Sequence, residues 1–459
     1  MMTQVSIAEI VSKQRDFFKT GNTKDVHFRL QKLKTLKQAI IEYEQAIAQA
    51  VKADLHKPAE ETFMTETVLI LKEIDYAVKN LKAWTKPKKV PVPFQILPAS
   101  ARIHPEPLGI ILIIGPWNYP IQLILAPLVA AIAAGNCSIL KPSELAPHSS
   151  HIIYEMLEKY FEPEYIAVAE GGVETSQQLL AEKFDHIFFT GGTVVGKIVM
   201  EAAAKHLTPV TLELGGKSPC IVDSHINVEY TARRITWGKF TNAGQTCVAP
   251  DYLLVNKSIK ENLLNAIEKC IQEFYSHNPA KSPDYGRIIH QKHFDRLVNL
   301  LKDGRILIGG DTNSVDRYIA PTVIDNISLT DPVMQEEIFG PILPVIEYTD
   351  ITEAIALINS RPKPLALYVF SENKNLQQQV CRETSSGGVG INNTLMHLSV
   401  SSLPFGGVGD SGMGSYHGKA GFDTFSHHKS VLHKPFLVDV KLLYPPYEGK
   451  LPWLKRLLP

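Results

Sequence analysis

A cysteine and an isolated carboxylate stand in two glycine-containing segments near the middle of this 459-residue chain. Cys247 lies in the uncharged run N-A-G-Q-T-C-V-A-P, and Glu213 lies upstream in T-L-E-L-G-G-K-S-P. A thiolate can attack a carbonyl carbon to form a covalent adduct, and a neighbouring carboxylate can draw a proton from the water that later releases it. A cysteine among small residues is often only buried filler. The glycine, proline and amide residues around Cys247 favour instead a close approach of backbone to a ligand, so the pair predicts covalent chemistry at a carbonyl.

An amide side chain, that of Asn118, stands in the turn P-W-N-Y-P directly after an apolar run. On a rigid turn this amide is either an oxyanion donor or the partner of its own turn backbone. A second carboxylate and an aromatic ring, those of Glu337 and Phe339, follow in E-E-I-F-G-P. They indicate either a ribose clamp with a nicotinamide contact or an ordinary helix end.

A glycine-rich turn and a charged pair are candidates for holding a dinucleotide. Gly191, Gly192 and Gly196 fall in F-T-G-G-T-V-V-G-K, which follows a strand-like run and opens a predicted helix whose backbone amides suit a pyrophosphate. The spacing is not G-x-G-x-x-G, and an ordinary strand-to-helix turn is the alternative. Lys141 and Glu144, in K-P-S-E after another strand, indicate either a ribose site or two solvated charges.

Composition sets limits on the class of protein. The chain holds 47 Lys plus Arg and 47 Asp plus Glu, so no net field favours a nucleic acid or an anionic membrane. Its length predicts two or three domains. The other cysteines show no C-x-x-C or zinc-site spacing, and we expect no metal. An odd count of five cysteines and the absence of a secretory leader predict a reducing, cytoplasmic location.

The elements that must position these residues follow from the apolar patterns. Residues 107–140 carry no charge, but repeated Gly, Pro and Asn exclude a membrane-spanning helix and predict a strand at 109–114, a helix at 121–134 and a strand at 138–140. Helical spacing recurs through 26–55 and 61–84. Further strands are predicted at 166–168, 186–190, 219–222, 253–255, 306–308 and 365–370, which together give an α/β fold.

The order of the motifs identifies a family. P-W-N-Y-P, K-P-S-E, F-T-G-G-T-x-x-G-K, L-E-L-G-G-K-S-P, G-Q-T-C-V-A-P, E-E-I-F-G-P and L-P-F-G-G-V-G-x-S-G-M-G occur in that order, and the chain resembles an aldehyde dehydrogenase essentially end to end. The closing run S-G-M-G-S-Y-H-G-K is similar to the class 3 branch, which includes fatty aldehyde dehydrogenases. Gly192 stands where many members carry a serine, so there only backbone can hold a phosphate.

The resemblance implies a role for each residue. Cys247 matches the nucleophile, Glu213 the general base, and Asn118 the side chain that forms the oxyanion hole with the Cys247 N–H. Phe405 matches the aromatic residue that lines the site near the reacting centre, and Tyr119 is a second candidate for the substrate pocket. The residues that match the NAD site are Trp117, Lys141, Glu144, Gly191, Gly192, Gly196, Glu337 and Phe339.

The resemblance also implies the fold and its division. We expect an aldehyde dehydrogenase fold with a Rossmann-like dinucleotide-binding domain (1–84 and 105–210), an α/β catalytic domain (211–395), a bridging and oligomerisation element (85–104 and 396–445) and a tail (446–459). A homodimer is implied. The segment 451–458 is too short and too charged to span a bilayer and is expected to make at most a weak peripheral contact with a membrane.

The expected reaction is NAD(P)-dependent oxidation of an aldehyde to its acid through a cysteine thiohemiacetal and thioester. NAD is the expected cofactor, with NADP accepted. Apolar residues that suggest a funnel for medium- to long-chain or aromatic aldehydes are Phe63, Tyr119, Met396 and Leu398. Two alternatives stay open: an acylating enzyme that passes the thioester to coenzyme A, and a non-catalytic binding protein on the same fold. The presence of Glu213 favours hydrolysis.

Overall fold

The computed structural model describes residues 6–457; residues 1–5 of the predicted first domain and 458–459 of the predicted tail lie outside this range. Its α-helices are α1 Ile7–Lys19, α2 Val26–Leu55, α3 Ala59–Thr62, α4 Val68–Trp84, α5 Gln122–Ala134, α6 Pro147–Tyr160, α7 Val173–Ala181, α8 Thr193–Ala204, α9 Val228–Phe240, α10 Lys260–Tyr275, α11 Gln291–Leu300, α12 Pro332–Gln335, α13 Ile351–Asn359, α14 Lys374–Glu383, α15 Gly418–Thr424 and α16 Leu451–Leu457. Its strands are β1 Lys88–Val90, β2 Ser100–Pro107, β3 Ile110–Ile114, β4 Cys137–Lys141, β5 Ile166–Val168, β6 His186–Thr190, β7 Val210–Glu213, β8 Pro219–Val222, β9 Tyr252–Asn256, β10 Arg305–Ile308, β11 Thr312–Asn313, β12 Tyr318–Ile319, β13 Thr322–Asp325, β14 Ile342–Tyr348, β15 Ala366–Phe370, β16 Gly388–Ile391, β17 Gly412–Met413 and β18 Ser426–His433.

A six-stranded sheet has the order β17-β7-β6-β3-β4-β5. All its neighbours run parallel except β17, which lies antiparallel to β7. Because β7 extends to Glu213, this sheet continues past residue 210, where the sequence placed the end of the first domain. The predicted boundary between residues 210 and 211 therefore falls inside β7, which pairs with β6 along its length.

The uncharged segment 107–140 folds as a βαβ unit, as predicted. Strands β3 and β4 pair in parallel, Ile110 opposite Cys137, and both are buried along their whole length. Helix α5 connects them and is buried at every position after Gln122, which explains why it carries no polar face. The two parallel strands of this unit therefore end at the same edge of the sheet. The turn with Asn118 and the side chain of Lys141 lie at this edge.

The second sheet has seven strands in the order β10-β13-β14-β9-β8-β15-β16, parallel except for β10. The strands predicted in this half are confirmed. The sequence analysis did not predict β13 and β14, although both are central strands. Strand β14 contains Pro344. A proline normally argues against a central strand, because it removes a donor from the ladder.

A smaller antiparallel sheet, β1-β2-β18, joins two distant parts of the chain. Strand β2 pairs with β18 from Ser100 opposite His433 to Pro107 opposite Ser426. Strand β2 thus pairs with a distant part of the same molecule. The same sheet brings together pieces of the two segments that the sequence assigned to one bridging element.

The N-terminal helices lie against the first sheet. Helix α2 begins after Asp25, which accepts from two backbone N–H groups, and ends where His56 turns left-handed. The helical region predicted at 61–84 is interrupted by a π-helical turn, Phe63–Thr67, between α3 and α4. Among residues 6–457, no helix combines the length and the apolar character needed to cross a bilayer.

Candidate active site

The predicted site residues gather between the two large sheets. The turn with Asn118, the side chain of Lys141 and Glu213 all lie at carboxyl ends of strands of the first sheet. Cys247 and the segment 336–341 precede β9 and β14, at the amino ends of strands of the second sheet. Ligands of parallel sheets bind at such carboxyl ends, so one edge offers a cofactor site while the facing edge supplies the nucleophile.

The loop that carries Cys247 is held in an unusual backbone conformation. After α9 the chain makes a short 3-10 turn in which Asn242 and Ala243 both have positive φ, 53° and 51°. The fully buried side chain of Gln245 fixes this loop, because its amide donates to Asn242 O at 3.0 Å and Arg287 O at 2.9 Å and its carbonyl accepts from Ile289 N at 3.0 Å. Strained backbone over-determined by its surroundings is typical of functional sites.

Gly244 ties this loop to the E-E-I-F-G-P segment. Its φ is +73°, and a Cβ at this position would lie 2.3 Å from the carbonyl oxygen of Gly340. Only glycine permits both the conformation and this close approach. Two motifs that are far apart in the sequence therefore meet directly behind the thiol.

Cys247 is the one cysteine that lies among these motifs, and its side chain is partly exposed. Burial, and then the charges of Glu337 and Glu213, raise the pKa of its thiol, while backbone N–H groups of Cys247 and Val248 act in the opposite direction. Both carboxylates thus oppose ionisation of the sulfur. In this state the thiol is protonated at neutral pH, so the reaction requires a thiolate formed when ligands bind or as the pH rises.

Glu213 is a buried carboxyl group whose two oxygens have no hydrogen-bond partner among the described residues. Burial holds the pKa of this carboxyl well above its usual range. An unpartnered carboxyl group costs free energy and marks a functional site more often than a structural one. A raised pKa makes the ionised form of this carboxyl group a stronger base towards water.

Asn118 is held by hydrogen bonds of its main-chain carbonyl and of its side-chain amide. Its side-chain N–H donates to Gln245 O at 3.0 Å, and its main-chain carbonyl accepts from Asn242 Nδ2 at 2.8 Å. It does not cap its own turn, which was the alternative interpretation. The structure therefore places this amide beside the segment that ends in Cys247.

The glycine-rich turn fits a pyrophosphate. Gly192 caps α8 without a side-chain hydrogen bond, and a Cβ added there would meet no atom within 4 Å, which leaves open space before the helix N-terminus. The other two glycines serve packing: a Cβ at Gly191 would lie 2.5 Å from the Phe189 ring, and one at Gly196 would lie 2.7 Å from Leu214.

Lys141 and Glu144 form an ion pair at 2.8 Å, with Lys141 buried and Glu144 exposed. The two side chains are therefore paired with each other, and they are not two separate solvated charges. An exposed carboxylate held by a buried ammonium group is positioned to accept from ribose hydroxyls.

The other cofactor candidates form a small aromatic and acidic group. The ring of Trp117 meets that of Phe339 edge-on at 5.3 Å, and Phe339 has a positive φ of 53°. The carboxyl group of Glu337 covers the glycine turn 215–216, where a Cβ at Gly215 would lie 2.0 Å from it. Burial and then Asp251 raise the pKa of Glu337 to about 8.

Tyr119 contacts the segment of Cys247, and Phe405 lies in an aromatic cluster. The hydroxyl of Tyr119 contacts Thr246 Oγ1 at 2.7 Å, one residue before Cys247. Phe405 pairs through its backbone with Tyr416 and stacks on His417 at 5.5 Å. Of the other predicted funnel residues, Phe63 and Met396 are exposed and Leu398 lines a small cavity beside Glu73.

Sequence reasoning missed several residues of the site. Tyr416 is buried, and burial followed by the charges of Glu213 and Cys247 raises the pKa of its hydroxyl. Gln245 was noted only as part of a motif. The buried ion pair between Lys57 and Glu66, under the turn with Asn118, had no signal in the sequence beyond a lysine before the proline that ends a helix.

A doubly wound sheet that offers a helix N-terminus to a phosphate, together with a thiol, a carboxyl group and an amide, is the arrangement expected of a dinucleotide-dependent enzyme that acts on a carbonyl compound. The family model described as aldehyde dehydrogenase family matches residues 1–431. The chain belongs to the aldehyde dehydrogenase family.

Relatives of known name agree with this assignment. The 4,4'-diaponeurosporen-aldehyde dehydrogenase of Staphylococcus aureus is 51% identical over 96% of each chain, and the dimeric NADP-preferring aldehyde dehydrogenase of the dog is 47% identical over 97% of this chain and 99% of that one. A solved structure, the substrate-bound state of AldH from Staphylococcus aureus, has a TM-score of 0.96 at 49% identity and covers 99% of both chains. The predicted class 3 branch, fold and NAD(P)-dependent oxidation of aldehydes are confirmed.

Proposed function

We propose that Cys247, Asn118 and Glu213 carry out the oxidation. The Cys247 thiolate adds to the aldehyde carbon, and the resulting oxyanion accepts from the Asn118 amide and the Cys247 N–H. Loss of a hydride from this adduct leaves a thioester. Glu213 then takes a proton from water as the water oxygen attacks the acyl carbon, and the carboxylic acid leaves with the thiol restored. The observation that carries the proposal is the buried carboxyl group of Glu213, which has no hydrogen-bond partner among the described residues and which, after burial and the charge of Glu337, raises the pKa of the Cys247 thiol.

The residues present fit NAD or NADP. The N-terminus of α8 with Gly192 would hold the pyrophosphate, Lys141 and Glu144 the adenosine ribose, and Glu337 with Phe339 the nicotinamide end. A bound nicotinamide ring supplies the hydride acceptor. Because Glu144 is a carboxylate exposed beside the expected ribose, we infer that NAD is preferred and NADP is accepted.

The proposed substrates are medium- to long-chain or aromatic aldehydes. The aromatic residues proposed to line the pocket are Tyr119, which contacts Thr246, and Phe405, which stacks on His417. One relative is named for a carotenoid-derived aldehyde, 4,4'-diaponeurosporen-aldehyde, which supports a large apolar substrate. Apolar walls bind such chains by removing them from water.

A panel of aldehydes tests the reaction and its substrate class. Purified protein with NAD should form NADH fastest with long aliphatic and aromatic aldehydes, and Cys247→Ala should abolish turnover. Added coenzyme A should change neither the rate nor the product, because Glu213 directs the thioester to water. Formation of an acyl-coenzyme A ester would favour the acylating alternative, and retained turnover in Cys247→Ala would exclude the covalent route.

We also propose a homodimer formed through strand β18 and the segment that follows it. Strand β18 is an edge of its sheet, and the segment after it exposes Phe436 fully and Leu437 by 86%. Apolar side chains exposed in this way beside an open strand edge suit burial against a second copy. Light scattering should give a dimer mass, and Phe436→Ser should lower the dimer affinity; a monomer at all concentrations would overturn the proposal.

We place the enzyme in the cytoplasm, with at most a weak contact between α16 and a lipid surface. All five cysteines are free thiols, as a reducing compartment requires. Helix α16 exposes Leu451 and Trp453 next to Lys455 and Arg456. Sedimentation with anionic liposomes, with and without residues 445–459, measures the contact, and equal sedimentation of both forms would exclude a role for the tail.

A further inference from the structure

Lys57 is a fully buried lysine under the turn that presents Asn118. Helix α2 ends at Leu55, His56 adopts a left-handed conformation with φ 55°, and Pro58 cannot extend the helix. The chain therefore turns at this point, and the side chain of Lys57 enters the protein instead of solvent.

The ammonium group of Lys57 touches the main chain and the ring of the two residues in that turn. It donates to Asn118 O at 3.3 Å and lies 4.1 Å from the centroid of the Tyr119 ring. Both of these residues in turn contact the segment before Cys247: Asn118 through Gln245 O, and Tyr119 through Thr246. Lys57 itself makes no contact with Cys247 or Glu213 among its described hydrogen bonds.

Glu66 neutralises Lys57 and fixes the other end of the turn. One carboxylate oxygen accepts from Lys57 at 2.7 Å, and the other accepts from the backbone N–H groups of Ile121 at 2.9 Å and Gln122 at 3.3 Å. Helix α5 begins here without a side-chain cap from its own N-cap residue, so Glu66 supplies the acceptor from a distant segment. The π-helical turn 63–67 carries Glu66 into this position.

The same N-terminal segment also reaches the loop of the nucleophile. Glu61 accepts from the backbone N–H of Asn242 at 2.9 Å, and the Asn242 side chain donates to Asn118 O at 2.8 Å. The two proposed components of the oxyanion hole, the Asn118 amide and the Cys247 N–H, are thus supported from one piece of chain, residues 57–66.

We propose that Lys57, neutralised by Glu66, is a positioning residue that holds the Asn118 amide where the oxyanion develops. This inference rests on the proposed function and concerns how its oxyanion hole is kept in place. A buried ion pair can often be replaced by apolar residues without loss of stability. The contribution of this pair is then geometric, because among the described hydrogen bonds no other charged pair links Asn118 O to the start of α5.

A double-mutant cycle between Lys57→Met and Asn118→Ala tests this role. Lys57→Met should lower the single-turnover rate of NADH formation about 10²-fold, since a misplacement of about 1 Å near the reacting group has an effect of that size. In the Asn118→Ala background the same change should lower the rate less than about threefold, because the amide that Lys57 positions is already gone. Affinity for NAD, measured by fluorescence titration, should stay unchanged.

Two further proteins keep the test decisive. The double variant Lys57→Met/Glu66→Met replaces both charges and should fold, yet it should be as slow as Lys57→Met and as insensitive to Asn118→Ala. The matched control is Lys260→Met, which breaks a largely buried pair with Asp325 at 2.8 Å outside the site and should keep the wild-type rate.

The outcomes separate the inference from the reaction it serves. If Cys247→Ala abolishes turnover but the folded Lys57 variants keep wild-type rates, or their losses multiply with that of Asn118→Ala, the positioning role is wrong while the proposed function stands. If the wild-type protein oxidises no aldehyde, or Cys247→Ala remains active, the proposed function fails first.

Discussion

The side-chain amide of Asn118 donates to the backbone carbonyl of Gln245 at 3.0 Å, and this bond joins the two sheets at the thiol. Asn118 follows a strand of the first sheet, whereas Gln245 precedes a strand of the second. The bond uses one of the two amide N–H groups, so the other is free for an oxyanion on the adduct of Cys247. The Asn118 side chain therefore connects the two sheets and also offers a donor to the oxyanion.

Asn118→Ala should slow the enzyme without stopping it. The loss of one oxyanion donor lowers turnover by about 10² to 10³, while the Cys247 N–H remains. Steady-state NADH formation measures the effect, and the affinity for NAD serves as the control because Asn118 is not assigned to the cofactor. A loss below threefold would show that the amide has only a structural role.

The reactivity of Cys247 towards iodoacetamide should rise steeply with pH in the enzyme without cofactor. Burial and the two neighbouring carboxylates raise the pKa of this thiol, so the thiolate fraction increases about tenfold per pH unit across the neutral range. Mass spectrometry of the labelled peptide gives the rate. Cys381→Ser removes the exposed thiol that would compete for reagent. A plateau already reached at pH 7 would contradict the raised pKa.

The sequence carries local signals for the candidate site but few for the support beneath it. The βαβ unit at 107–140 was readable because glycine and prolines divide an uncharged run into strand and helix lengths. Cys247, Glu213 and Asn118 stood out because each is a polar group within a Gly- or Pro-rich turn. These local signals do not depend on the rest of the fold.

The contacts between distant segments were not readable. Lys57 contacts Asn118, although the two residues are 61 positions apart in the sequence. Glu66 contacts Lys57 from a π-helical turn that no periodicity predicts. Strand β14 was missed because Pro344 interrupts its pattern, although its neighbours Ile324 and Leu253 fix its place in the sheet. Burial and pairing of this kind arise from tertiary packing, which local propensity does not encode.

Glu213→Gln should stall the enzyme after the hydride has left the adduct. Glutamine keeps the size of the side chain but cannot take a proton from water, so the thioester accumulates. Rapid mixing should show a burst of about one NADH per active site followed by a slow steady state. Glu261→Gln, an exposed change on α10, should behave as the wild type. Unchanged steady-state turnover of Glu213→Gln would exclude Glu213 as the base.

Glu213 should also make folding stability fall as the pH rises. Its pKa is raised in the folded state, while an unfolded glutamate ionises near about 4.3. Between these two values the folded state binds a proton that the unfolded state releases, so the stability falls by up to about 1.4 kcal/mol per pH unit from this group. Urea unfolding at pH 5 and pH 8 should show Glu213→Gln gaining stability relative to the wild type at the higher pH. An equal difference at both pH values would contradict the raised pKa.

Glu144→Gln should shift the cofactor preference towards NADP. Glu144 is exposed and paired with Lys141 at 2.8 Å, so its carboxylate both repels a 2′-phosphate and occupies the ammonium group that could bind one. Its removal should raise the ratio of kcat/KM for NADP to kcat/KM for NAD about tenfold, which corresponds to about 1.4 kcal/mol. Glu155→Gln, an exposed change on the following helix α6, should leave the ratio unchanged. If Glu144→Gln lowers kcat/KM for both cofactors equally, Glu144 binds the ribose without discriminating between them.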